Sequence, residues 1–120
     1  MHETVFASSM LKIILEEVKK HEAESGETYR VERIYLQLGL LTCLEEHTLK
    51  GCFEILAEDG PAAGARLVVD RLPLEGHCGD CGKDVRVSGQ SLACPLCHGR
   101  QVDWLGGQES EVTSIEVTAI

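Results

Sequence analysis

Apolar residues recur with a helical period near the start of the chain. Ala7, Met10, Leu11, Ile14 and Val18 stand at i, i+3, i+4, i+7 and i+11, while Lys12, Glu16, Lys19 and Lys20 fall away from that face. The pattern predicts a helix over 4–24, stopped by Ser25-Gly26. Lys19, Lys20 and His21 then sit in its last turns, where positive charge suits the helix dipole. The period switches to two over 29–38, a predicted strand with Ile34, Leu36 and Leu38 on one side and Arg33, Tyr35 and Gln37 on the other. A second helix is predicted over 43–58. It is opened by a Thr42/Glu45 capping box, striped by Leu49, Cys52, Phe53 and Leu56, and closed by Asp59-Gly60-Pro61. A second strand, 65–74, places Leu67 and Val69 opposite Val68 and Leu72, with Pro73 suited to its end or to an edge. A third, 111–118, places Ile115 and Val117 opposite Ser114 and Glu116.

The expected architecture is α+β: two helices packed on a three-stranded sheet, with a small four-cysteine zinc-binding β-hairpin module inserted before the last strand. The expected division is residues 1–74, completed by 108–120, as one domain, and 75–107 as the other.

Charge narrows the function classes. The chain has 120 residues and a formal net charge of −9. Residues 1–74 hold thirteen acids and eight Lys+Arg, and residues 75–120 hold seven and three, so the parts carry −5 and −4. Nucleic-acid binders show a basic patch that neutralises phosphates, and none is visible here. No window approaches the ~18 apolar residues of a membrane span, and His2 and Glu3 follow Met1 with no leader-like stretch. The expectation is a cytoplasmic protein, whose six cysteines are reduced.

Four of those cysteines are paired: Cys78-Gly-Asp-Cys81, twelve intervening residues, then Cys94-Pro-Leu-Cys97. Each Cys-x-x-Cys turn aims two sulfurs at one point, and two turns make a tetrahedral four-sulfur site suited to zinc. Val85-Arg-Val87 and Leu92-Ala93 are expected to form a hairpin around Ser88-Gly89-Gln90. So small a module cannot bury enough surface alone, and its metal supplies folding free energy directly. A redox Cys-x-x-Cys belongs to a strand–helix unit, which two pairs flanking a hairpin do not resemble. Cys43 and Cys52, nine positions apart, fall on opposite faces of the second predicted helix and are expected to be buried thiols.

The first residues offer a different metal chemistry. The α-amine of Met1, the deprotonated backbone nitrogen of His2 and the His2 imidazole can chelate one ion in fused rings. That planar set suits square-planar Ni(II) or Cu(II), with Glu3 or a distant imidazole as a further ligand. A solvated terminal histidine shows the same pattern.

Taken together, Met1-His2-Glu3, the helix–strand–helix order, Cys78-x-x-Cys81…Cys94-Pro-Leu-Cys97-His98-Gly99 and the closing Ser114-Ile115-Glu116-Val117 resemble the HypA/HybF family of hydrogenase nickel-incorporation proteins. The resemblance spans the chain. It implies a nickel metallochaperone, not an enzyme, that passes Ni(II) to the large subunit of nickel–iron (NiFe) hydrogenase alongside a nickel-handling GTPase. Urease accessory proteins and a homodimeric state are further expectations. The family's nickel ligand maps onto His2, with Glu3 ligating or supporting it, and its zinc ligands onto Cys78, Cys81, Cys94 and Cys97. His98, directly after the second knuckle, is either a neighbour of the zinc site or a further nickel ligand. His21, His47 and His77 have weaker claims. Gly39 is followed by Leu40 where many members carry an acid. The alternative is a zinc ribbon that binds nucleic acid or another protein.

Overall fold

The computed structural model describes residues 2–88 and 91–120. Its elements run α1 (Glu3–Ser25), β1 (Tyr29–Gly39), α2 (Glu46–Ala57), β2 (Arg66–Leu72), β3 (Leu74–Cys78), β4 (Asp84–Val87), β5 (Val102–Leu105) and β6 (Ser110–Ala119). They make two helices and two small sheets of order β2-β1-β6 and β4-β3-β5. The chain separates into two compact units. The first is Met1–Leu36, Cys43–Val69 and Val112–Ile120; the second is Gln37–Thr42 and Asp70–Glu111.

In the first unit α1 buries Ala7, Met10, Ile14 and Val18, as its period requires, and Glu3 continues that stripe one turn earlier. Gly26 ends the helix in the left-handed region, at φ 77°, and donates its N–H to Glu22 O. The helix runs through Ser25, so Lys19, Lys20 and His21 lie one turn inside its end, and its last turn carries no base. α2 packs on α1 and buries Leu49, Phe53 and Ala57. Leu56, assigned to that stripe by its spacing, is 42% exposed, and Ala57 takes the buried place.

The predicted capping box does not form. Thr42 Oγ1 donates to Gly39 O. Glu45 itself is the N-cap of α2, and its carboxylate accepts from Thr48 N–H at 2.7 Å. The helix therefore starts at Glu46, three residues later than its sequence suggested.

β1 is the central strand of its sheet, and its Val31, Ile34, Leu36 and Leu38 are all buried. The alternation slips by one position between Val31 and Ile34. Gly39 N–H donates to Glu109 O at one end of the ladder and Ile120 N–H to Thr28 O at the other, so β6 runs antiparallel to β1. The closing strand thus joins the sheet of the first predicted strand, as expected. Its two faces are less distinct than the pattern implied: Val112 and Ile115, three positions apart, are half-buried while Val117 is exposed, so the alternation of two is not kept along this edge strand.

On the outer face of this sheet Glu116 accepts from the Tyr35 hydroxyl and from Arg33 Nη1, the latter at 3.0 Å. The Tyr35 hydroxyl first, then Arg33, holds the Glu116 carboxyl below the usual carboxylate range. A carboxyl depressed in the folded state contributes stability above its unfolded value and loses it as pH falls through the folded one. Glu116→Gln should therefore lower the urea midpoint at pH 7, with the difference from wild type shrinking toward pH 3. An equal difference at both pH values would show that the charge is not the source.

Candidate metal centre

The second unit contains one gathered ligand set. The sulfurs of Cys78, Cys81, Cys94 and Cys97 all lie within 4.8 Å of one another. Cys78 and Cys97 stand 3.6 Å apart and Cys81 and Cys94 3.8 Å. A disulfide needs about 2.05 Å. A tetrahedron with metal–sulfur bonds of ~2.3 Å has edges of about 3.8 Å, so the four sulfurs are spaced as ligands of one tetrahedral ion such as zinc.

The two turns that deliver them are built alike. Cys78 N–H donates to Lys83 O and Gly82 N–H to Cys78 O, both at 2.9 Å. In the second turn Cys94 N–H donates to Gly99 O at 2.8 Å and His98 N–H to Cys94 O at 2.9 Å. Backbone N–H groups also point at the sulfurs: Cys81 N at Cys78 Sγ at 3.5 Å, Leu96 N at Cys94 Sγ and Gly99 N at Cys97 Sγ, both at 3.4 Å. The residue after each second cysteine must enter the left-handed region to close the turn. Gly82 does so at φ 74°, as glycine readily can. His98 occupies the matching position at φ 63°, where a Cβ is disfavoured.

Four thiols at this range do not ionise independently. Burial is the largest influence on Cys94 and pushes it up, but the N–H groups of Cys97 and Leu96 and the sulfurs of Cys97 and Cys78 outweigh it and bring the thiol to about 7. For Cys97 the Gly99 N–H favours the thiolate, yet burial and the sulfurs of Cys78, Cys94 and Cys81 push it up to about 12. A divalent cation removes this conflict, so loading it expels protons and acid opposes it.

The sheet around the site is a three-stranded one. β3 pairs antiparallel with β4 and β5, placing Gly76 between Val85 and Trp104. A Cβ on Gly76 would come within 2.7 Å of the Trp104 ring, so the glycine lets the indole lie across the strand. The apolar cluster at the site is Cys78, Val85 and Cys94, with Cys81, Val102 and Trp104 packed on it. The expected hairpin partner, Leu92-Ala93, forms no strand; β4 pairs with β3 instead, and Leu92 is 47% exposed. Gly89 and Gln90 of the expected turn lie outside the described residues.

The remaining candidates separate clearly. His77 alternates away from Cys78 along β3, and its Nδ1 lies 2.9 Å from Asp84 Oδ1 on the exposed side. His21 and His47 are exposed. In the first unit His2 is exposed and is the N-cap of α1, in the left-handed region at φ 69°; its carbonyl accepts from Phe6 N–H, and its side chain makes no capping bond. Glu3 is 8% exposed, and its Oε2 accepts from Glu45 N–H at 2.9 Å, so it joins the start of α1 to the start of α2. That role was signalled by the 3–7–10–14–18 spacing, which puts Glu3 on the buried face. Met1 lies outside the described residues. No other group of three ligating side chains is gathered among the described residues. Cys43 is exposed and precedes α2, while half-buried Cys52 lies within it, 3.4 Å from Thr4 Oγ1. The expectation of two buried thiols on one helix is therefore corrected, because Glu45 starts that helix after Cys43.

Residues 1–117 match the family described as "Hydrogenase/urease nickel incorporation, metallochaperone, hypA". The chain is 32% identical over 117 residues to hydrogenase maturation factor HypA of Rhodopseudomonas palustris (strain TIE-1), spanning 98% of this chain and 99% of that one. It is 33% identical to hydrogenase maturation factor HybF of Escherichia coli O157:H7, with the same coverage. The solution structure of the Ni metallochaperone HypA from Helicobacter pylori shares the fold, with a TM-score of 0.61, 23% identity and full coverage of both chains.

Two outcomes are expected of the four-sulfur site. Chelating its metal should abolish amide-exchange protection in β3–β5 while α1 keeps its protection. His98→Gly should raise the stability of the metal-loaded second unit by about 0.5–1 kcal/mol. Gly82→Ala should lower it by a similar amount, both read from the chelator concentration that unfolds the unit.

Proposed function

Because the chain belongs to the HypA family of hydrogenase/urease nickel-incorporation metallochaperones, we propose that it binds Ni(II) at its N-terminus and hands it to the large subunit of nickel–iron hydrogenase. The four-sulfur site holds a structural zinc, and Ni(II) is the cargo. A GTPase of the maturation pathway is the proposed co-worker, and urease accessory proteins are further recipients. The protein acts as a carrier and catalyses no bond chemistry.

The observation that carries this reading is His2. It opens α1, is exposed, and leaves its imidazole out of the helix cap. An imidazole beside the α-amine and the His2 backbone nitrogen is a nitrogen-rich set suited to Ni(II). Its location also favours release. The N-terminal end of a helix carries partial positive charge, which opposes a bound cation. Glu3 in the first turn offsets that field. The result is an accessible site of few ligands, from which the ion leaves by ligand exchange. Imidazole and amine must both be deprotonated, so loading weakens in acid.

Glu3 supports the site as a brace. Its carboxylate accepts the Glu45 N–H, which fixes the orientation of the group beside His2. His98 sits in the second unit, and its place as a knuckle-closing residue accounts for its backbone; nickel ligation by its ring is a separate proposal.

Nickel titration of variants separates these roles. His2→Ala should lower nickel affinity by at least about tenfold, the loss of one strong ligand. Unchanged stoichiometry and affinity would remove His2 from the account. Glu3→Gln keeps an acceptor for Glu45 N–H and should leave affinity within about threefold if Glu3 only braces the site; a loss matching that of His2→Ala would make Glu3 a ligand. His98→Gly should leave affinity unchanged if the ring does not ligate.

A further inference from the structure

The sheet of the first unit has two edges, built differently. β2 is seven residues long, carries Arg66, Asp70 and Arg71, and stops before Pro73. Charge, shortness and proline are the usual protections against pairing with another chain. β6 is ten residues long and has no Lys, Arg, Pro or Gly. Val112, Thr113, Ile115, Val117 and Thr118 give it high strand propensity instead. Among the described residues no strand pairs with its outer edge.

Beside that edge a groove of about 250 Å³ runs between α1 and β6, lined by Ile13, Ile14, Glu17 and His21 on the helix and Val112–Ile115 on the strand. Ile13 is 56% exposed. A strand laid on β6 would direct alternate side chains toward α1, over Ile13 and Ile115, and the others toward the face of Glu116. The groove holds Glu17 with His21 beside it, the strand carries Glu111 and Glu116, and on the Glu116 face Arg33 pairs with Glu116 while Glu32 and Arg66 lie nearby, so the charges carried by β6 itself are both acidic. A second copy of this chain would bring Glu111 and Glu116 again, on a molecule of net charge −9, and so meets repulsion.

We propose that β6 accepts an extended segment of a partner protein as an added strand, one with β-branched apolar residues alternating with Lys or Arg. The main chain supplies the hydrogen bonds, the α1–β6 groove takes the apolar residues, and the acidic groups select a basic segment. This surface does not use His2 and stands whether or not nickel binds there.

The probe is a terminally blocked nine-residue peptide alternating valine with lysine and threonine, titrated into the isotope-labelled full chain. Amide shifts and slowed exchange should map to residues 112–119 and to Ile13. N-methylation of alternate peptide residues along one edge should weaken binding by about tenfold, as expected for losing one or two net hydrogen bonds. Ile13→Lys should weaken it comparably while leaving the melting temperature unchanged. Equal binding by the methylated peptide, shifts concentrated elsewhere, or no binding would overturn the proposal. Concentration-dependent self-association that protects β6 and resists the peptide would also overturn it, by giving the edge to a second copy.

Discussion

Four sulfurs held at the spacing of one tetrahedral ion are the constraint on which the second unit depends. The cluster around the sulfurs buries just Cys78, Val85 and Cys94, and Leu38 and Leu74 are the other large apolar side chains buried in the unit among the described residues, little apolar surface to order a three-stranded sheet in water. The sulfurs come from two turns with the same local hydrogen bonds, one at the end of β3 and one in the loop before β5. Without a cation the gathered thiols oppose one another's ionisation, drawing Cys94 down and pushing Cys97 up. With one, each knuckle becomes a rigid corner, and the strands between the knuckles have somewhere to anchor.

The first unit is organised by ordinary burial, with one charged exception. The α1 stripe ends in a carboxylate, Glu3, which is kept from water by accepting the Glu45 N–H. Glu45 in turn caps α2 through Thr48 N–H. Two helix starts are thereby fixed to each other, and His2 is presented at the surface directly before them. The two metal chemistries proposed for the chain then differ for a physical reason. A closed set of four thiolates binds tightly and stays loaded, whereas an exposed nitrogen set at the positive end of a helix binds and releases.

The places where the pattern misled are instructive. Thr42-x-x-Glu45 has the composition of a capping box, but the Thr42 hydroxyl reaches Gly39 O instead, and Glu45 caps alone. Moving the helix start past Cys43 exposes that thiol and separates it from Cys52. Val85-Arg-Val87 and Leu92-Ala93 flank Ser88-Gly89-Gln90 as a hairpin would, yet β4 turns back on β3, where Val85 meets Gly76 and shares a core with Cys78. Thr42 and β4 each took a different near neighbour from the one their composition suggested, and only Glu45 answers to a distant partner, its N–H donating to Glu3.

What the sequence alone determined was whatever rests on spacing within a few residues: the period of α1, the strand of Ile34, Leu36 and Leu38, the Gly26 stop and the Cys-x-x-Cys turns. Those follow from backbone geometry, which reads only near neighbours. The chain's order of elements and its paired cysteines were legible enough to place it among its relatives. The tertiary structure decided what depends on contacts across the chain. It set the pairing of β3 with both β4 and β5 and the use of Glu3 as a brace. It also left one edge of the first sheet protected and the other open. It further showed that the residue after each second cysteine, Gly82 and His98 alike, turns left-handed, because closing the turn on a sulfur demands that backbone whatever the side chain.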